Sequence, residues 1–175
     1  MVAIDGPAGS GKTTFAERLG AAAGAQVIHS DEFPVPWDGS PDAWFAPLTA
    51  QVLDPLRAGG PGRFRRYDWV RGEHAEWIEV PPAPLLVLEG VAAARRATAG
   101  LLAYAIWVEA PDDLRLRRVL ERDGEHLRDE WERWMRAERE WFARDDTRAR
   151  ADLRVLGTPG SAAAPRDPSA EFTTF

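Results

Sequence analysis

Val2 to Ala16 reads VAIDGPAGSGKTTFA, and no other stretch constrains the fold as tightly. A short apolar run leads into a glycine-rich turn, and the turn leads into a segment with helix-forming residues. The chain carries 22 basic residues; Lys12 is the only lysine, and the others are all arginine. Gly6-Pro7-Ala8-Gly9-Ser10-Gly11-Lys12-Thr13 has the spacing GxxxxGK[ST]. In a strand–loop–helix context, such a loop turns backbone N–H groups and a helix N-terminus toward phosphate oxygens. A solvent-facing Lys12 then reaches the outer phosphates, and the Thr13 hydroxyl coordinates Mg²⁺. Gly6, Ala8, Gly9, Ser10, Gly11, Lys12, Thr13 and Thr14 are therefore the expected nucleotide contacts, with ATP and Mg²⁺ as ligands.

Apolar runs recur at intervals that suit a parallel sheet with crossover helices. Strands are predicted at Val2–Asp5, Gln26–His29, Leu85–Glu89, Ala103–Glu109 and Asp152–Leu156, with helices at Lys12–Ala23, Asp42–Ala58, Ala92–Leu102 and Leu114–Arg122. The alternation predicts an α/β three-layer domain: a five-stranded parallel sheet flanked by helices. Two segments interrupt it. Arg63–Val80, rich in aromatics and charges around Gly72, reads as a hairpin or irregular flap. Leu127–Ala149 places Trp131, Trp134, Met135, Glu138, Trp141 and Phe142 near one face, which predicts an amphipathic helix with its tryptophans in the core. The expected domain covers residues 1–157, with a flap at 63–80 and a lid at 118–130; residues 158–175, rich in Pro, Ala and Ser, read as a flexible tail.

In a parallel α/β sheet the C-terminal strand ends line the ligand crevice. Asp31 and Glu32 follow the second strand and Glu89 ends the third, so Asp31 and Glu89 are expected beside Thr13. There they can hold the Mg²⁺ water shell, and one can take a proton from an attacking hydroxyl. Glu32 reads instead as a cap or a solvated turn residue. His29 reads as a satisfied core histidine, and Arg65, Arg66 and Arg71 as a solvated basic face.

The order of these features resembles the uridine kinase-like branch of P-loop nucleoside and small-molecule kinases, from Val2 to about Gly157. The likeness rests on the P-loop, "DEF" at Asp31–Phe33, "WDGSPDAW", "YDW", "LEG" and the arginine-rich "RRVLERD". It implies that Asp31 is the base for the acceptor hydroxyl and that Asp38 contacts sugar hydroxyls. Tyr67 would pack on a substrate base, while Arg118, Arg122 and Arg128 would contact phosphate or substrate. Gly72 stands where nucleoside kinases have a base-contacting histidine, and His74, two residues on, is the candidate in its place.

Composition removes several alternatives. A net charge of −6 opposes sequence-independent nucleic-acid binding, which needs a basic surface. With no cysteine there is neither a disulfide frame nor a thiolate metal site. The absence of an 18-residue apolar run argues against a membrane partner and for a cytoplasmic protein. The expected partner is a small-molecule acceptor, a nucleoside or another polyol. A sugar acid or a nucleoside monophosphate is the alternative acceptor. An ATP-binding regulatory module with little turnover is the reading from another class; an acceptor base and an arginine lid speak against it.

Overall fold

The computed structural model describes residues 1–158 and the backbone of Thr173–Thr174. Five parallel strands form the sheet, as the alternation predicts: β1 (Val2–Asp5), β2 (Gln26–His29), β5 (Leu86–Glu89), β6 (Tyr104–Glu109) and β7 (Leu153–Leu156). Their order is β2-β5-β1-β6-β7, extended by the short antiparallel β8 (Thr173–Thr174) beside β7. Most of the segment expected to be a flexible tail lies outside the described residues.

Alternate residues of each strand feed two cores, as the pleat requires. On one face Ile4, Val87, Ile106, Val108 and Val155 pack with Ala16 of α1 (Lys12–Ala23). On the other, Ala3, Ile28 and Leu88 pack with Phe33, Trp44, Phe45, Leu48 and Phe64. This second layer includes α2 (Phe45–Leu48), a π-helical turn (Thr49–Leu53) and α3 (Asp54–Arg57) in one continuous segment. Pro55 gives a reason for the wide turn: it has no N–H to donate, and its ring crowds the carbonyl four residues back.

The flap is a two-stranded antiparallel hairpin, β3 (Gly62–Asp68) with β4 (Glu73–Val80). Phe64 and Val80 anchor it in the core. Its turn is built by Asp68, whose carboxylate accepts the N–H groups of Val70 (2.9 Å) and Arg71 (3.0 Å). Helix α4 (Asp112–Asp123) leads through Gly124 and a short 3-10 turn into α5 (Arg128–Asp145), and Val119, Leu120 and Trp131 form a third, smaller core between them. The helix expected to reach Ala149 stops at Asp145 because Asp146 adopts a left-handed φ of 57°. A short α6 (Thr147–Arg150) follows.

The helix predicted at Ala92–Leu102 does not form. Residues 91–94 make tight turns, and only Arg96–Leu101 is helical, as a 3-10 segment. The cause is Asp5, fully buried at the end of β1. One of its oxygens accepts the N–H groups of Gly6 (2.7 Å) and Ala92 (3.0 Å), and the other accepts that of Ala94 (2.8 Å). Ala92 is held at a φ of 72°, outside the helical region. Asp5 thus ties the start of the glycine-rich loop to the segment after β5.

Burial pushes the Asp5 carboxyl up to about 7, against the three N–H donors and the charge of Lys12, which favour the anion. An acid raised in the folded state adds stability below its unfolded pKa and loses it as pH rises through the folded value. The margin of wild type over Asp5→Asn should therefore shrink between pH 5 and pH 8. Urea unfolding at the two pH values measures it, and a margin that widens with pH would refute the assignment.

Candidate active site

The glycine-rich loop sits at the C-terminal end of β1, the topological switch point, with β5 on one side and β6 on the other. Gly6 is held at a φ of 140°, and a Cβ there would overlap the Val108 carbonyl oxygen. The spacing of the motif therefore meets a steric requirement as well as a conformational one. The first helical N–H groups lack partners within α1 and face the loop. Lys12 departs from expectation: it is buried, 7% exposed, and its Nζ donates to the Pro7 carbonyl at 3.0 Å. The ammonium rests against the loop instead of extending into solvent.

Loop and strand ends open on one cleft of about 1040 Å³. Ala8, Gly9, Gly11, Lys12, Thr13, Thr14, Asp31, Glu89, Arg118 and Arg122 line its polar part. The parallel register that sets His29 opposite Glu89 brings the ends of β2 and β5 level. Thr13 Oγ1 donates to Glu89 Oε2 at 3.3 Å, and His29 Nδ1 lies 2.7 Å from the same oxygen. His29 is thus not merely a core residue. Its hydrogen bond to Glu89 raises its pKa, against the effect of burial. Glu32 acts as a cap, its Oε2 accepting the His29 N–H at 3.0 Å. The Asp31 side chain opens onto the cleft while protein crowds around it. That desolvation, with the charge of Glu89, raises its pKa, and Lys12, Arg122 and His29 oppose the rise.

Hard oxygen donors at Thr13, Asp31 and Glu89 suit Mg²⁺. Among the described residues no three His, Cys, Asp or Glu side chains converge as a complete metal cage. Mg²⁺ is commonly held by one or two protein oxygens, with water and phosphate supplying the rest, so the donor set fits.

Beyond Asp31 the cleft changes character. Phe33, Val35, Trp37, Trp44, Trp69, Trp131 and Trp134 line it. Trp37 meets Trp131 edge-on at 4.9 Å and Trp134 at 6.3 Å. Trp69 swings over Asp31, donating its indole N–H to that residue's carbonyl at 2.6 Å. Trp131 and Trp134 therefore serve both the small core of the lid and the wall of the cleft, where helical periodicity alone assigns them to the core.

Of the lid arginines, Arg118 donates to the Gly9 carbonyl at 3.1 Å. Arg122 is braced by Asp123, which raises its pKa, and lies over the Trp131 ring at 5.6 Å. Four residues expected at the acceptor do not reach the lining of the cleft. Arg128 pairs with Glu125 and Glu132. Tyr67 packs edge-on against Trp69 (4.9 Å) and His74 (5.5 Å), so this pair braces Trp69 from behind. Asp38 is exposed next to Trp37. The backbone at 37–38 brings the indole, not the carboxylate, to the cavity.

A glycine-rich loop at the head of α1, carboxylates at neighbouring strand ends and arginines on α4 are the arrangement of a P-loop kinase. The chain belongs to the Phosphoribulokinase / Uridine kinase family, which it matches over residues 36–129. Its fold is similar to that of a possible uridine kinase from Bacillus stearothermophilus, with a TM-score of 0.64 and 20% identity over 87% of this chain and 86% of the other. A protein described as a candidate fructose transport system kinase from Silicibacter sp. TM1040 gives a TM-score of 0.68 at 22% identity, over 87% of each chain. Phosphoribulokinase from Rhodobacter spheroides gives 0.56 at 15% identity, over 91% of this chain and 71% of the other. No curated protein matches the chain significantly. No helix among the described residues is long and apolar enough to cross a membrane.

Proposed function

We propose that the protein transfers the γ-phosphoryl group of ATP to a hydroxyl of an uncharged, nucleoside-like small molecule. The observation that carries this reading is the division of one cleft into a charged half around Lys12, Thr13, Asp31 and Glu89 and an aromatic half around Trp37, Trp69 and Trp131. Phosphates belong in the first half, and a flat, uncharged body belongs in the second.

In the transfer the acceptor oxygen bonds to the γ-phosphorus, the bond to the β-phosphate oxygen breaks, and ADP leaves. Asp31 accepts the proton of the acceptor hydroxyl. Its raised pKa brings it nearer to neutrality and makes it a stronger base than an ordinary aspartate. Lys12 leaves the Pro7 carbonyl for the phosphates, and Arg118 and Arg122 balance the charge spread over the transferring group. Thr13 and Glu89, with Asp31 close by, would hold Mg²⁺, which would supply positive charge to the outer phosphates.

A sugar acid or a nucleoside monophosphate fits less well, because the cations that line the cleft, Lys12, Arg118 and Arg122, already face the transferring phosphates in this reading, and Arg122, which lies over Trp131, is also paired with Asp123. An ADP-release assay with uridine, cytidine, their monophosphates and gluconate tests the reading. Nucleosides should give the highest kcat/KM, and a preference for a monophosphate or for gluconate would overturn it. Trp37, 41% exposed, can be truncated with little loss of core packing. Trp37→Ala should raise the acceptor KM about tenfold, the scale of one lost stacking contact, and leave the KM for ATP unchanged. Asp38→Ala is the control for the neighbouring carboxylate. A larger acceptor effect at 38 than at 37 would return the acceptor contact to Asp38.

A further inference from the structure

Glu138 is a charged residue on the core face of α5, between Met135 and Trp141, and phosphoryl transfer leaves it without a role. It is 1% exposed, and its partner Arg115, on α4, is 3% exposed. A buried ion pair is seldom retained for stability, since an apolar pair of similar volume often serves as well. The contacts of this pair are specific. The N–H of Ala8, inside the glycine-rich loop, donates to Glu138 Oε2 at 2.9 Å. The carbonyl of the same residue accepts from Arg115 Nη1 at 2.9 Å. That nitrogen also donates to Glu138 Oε1 at 2.6 Å, and Arg115 Nη2 donates to Asp112 at 2.8 Å.

We propose that Arg115 and Glu138 are positioning residues for the phosphate-binding loop, clamping both polar groups of Ala8 from behind. The proposal rests on the reading that this loop binds nucleotide phosphates. An unclamped peptide can rotate and turn its carbonyl oxygen toward the phosphate site, where it repels anions. Held as they are, the two peptide groups that flank Ala8 leave the amides at the head of α1, on Gly11, Lys12 and Thr13, to meet the phosphates. The same α5 carries Trp131 and Trp134 to the acceptor end of the cleft, so the clamp ties the donor loop to the acceptor wall.

Charge and position predict opposite results. Burial raises the pKa of the Glu138 carboxyl, while Arg115, the Ala8 N–H and the charge of Lys12 favour its anionic form. If charge alone counted, Glu138→Gln would tighten the binding of an anion at the loop. If Glu138 positions the loop, the same change weakens it, because the amide cannot accept from both Ala8 and Arg115.

Sodium tripolyphosphate, which engages the loop without an adenine, is the probe, titrated calorimetrically into the full chain. Affinity should fall about tenfold in Glu138→Gln and in Arg115→Lys, the scale of one lost hydrogen bond to a charged group. Melting curves check that each variant is folded. Hydrogen exchange on the wild type covers the case in which neither variant folds. The Ala8 amide should be protected with or without tripolyphosphate, whereas Gly11, Lys12 and Thr13 gain protection only when it binds. Equal or tighter binding by folded Glu138→Gln, or an unprotected Ala8 amide, would overturn the clamp. A wild type that fails to take up tripolyphosphate would defeat the phosphate-loop reading, and the clamp with it.

Discussion

Lys12→Ala is expected to lower kcat by roughly 10²- to 10³-fold, the usual scale for removing one charge-stabilising donor from a transition state. Lys12 belongs to the charged half of the cleft, so the KM for the acceptor should move little. The burial of Lys12 adds a second consequence. Its ammonium stabilises the anionic forms of Asp5, Asp31 and Glu138 together. Without it, all three carboxyls rise further, and the residual activity should move to higher pH as Asp31 becomes harder to ionise. The cost to stability is moderate. The variant loses the hydrogen bond to Pro7, worth about 1.5–3 kcal/mol for a charged donor, but it also removes a charge that was expensive to bury. Calorimetry with ATP and Mg²⁺ and a pH–rate profile measure these effects. Unchanged ATP affinity and turnover would end the assignment of Lys12 to the phosphates.

Asp31→Asn is expected to cut the transfer rate by roughly 10²- to 10⁴-fold, the scale of losing a general base, while ATP binding stays nearly intact. Wild type should show an acid limb, with the rate rising as Asp31 loses its proton. Because desolvation and the charge of Glu89 raise that pKa, the limb should lie above the ordinary carboxylate range. In the variant the limb should vanish along with most of the activity. A parallel loss of ATP and Mg²⁺ affinity would make Asp31 chiefly a metal-site residue and would pass the role of base to another group. The link between Asp31 and the flap is testable in the same assay. Trp69 bonds to the Asp31 carbonyl, so Trp69→Phe should loosen the loop and reduce kcat by less than Asp31→Asn does.

The glycine-rich loop could be read directly because its requirements are local. Gly6, Gly11, Lys12 and Thr13 lie within eight consecutive residues, and backbone sterics and phosphate chemistry set their spacing. The parallel sheet was readable for a related reason: strands buried on both faces leave continuous apolar runs, and β1, β2 and β5–β7 all begin and end within a residue or so of those runs. The segment at 63–80 was readable as a hairpin or irregular flap from its mix of aromatics and charges around Gly72, and the structure makes it a hairpin over 62–80 whose turn Asp68 builds. Prediction failed where a distant group competed with local preference. The alanine-rich run after Val91 has every local reason to be helical, but Asp5 takes its amides from 87 and 89 residues away.

The acceptor half of the cleft shows the same division. Composition reveals eight tryptophans, and helical spacing puts Trp131 and Trp134 on an apolar face. Only the packing of α5 against the loop at Trp37 turns that face into the wall of a cavity. At 37–38 the sequence offers an indole and a carboxylate side by side, and the path of the backbone chooses the indole. Glu138 reads as an anomaly on a core face until the fold carries it 130 residues back to the Ala8 N–H. Chemistry that depends on neighbours in the chain was therefore decided by the sequence alone: the phosphate loop, the strands and the carboxylates at their ends. Chemistry that depends on neighbours in space was decided by the tertiary structure. Asp5, the Arg115–Glu138 clamp and the tryptophan wall each need a partner whose position depends on the whole sheet closing, and no local periodicity encodes that.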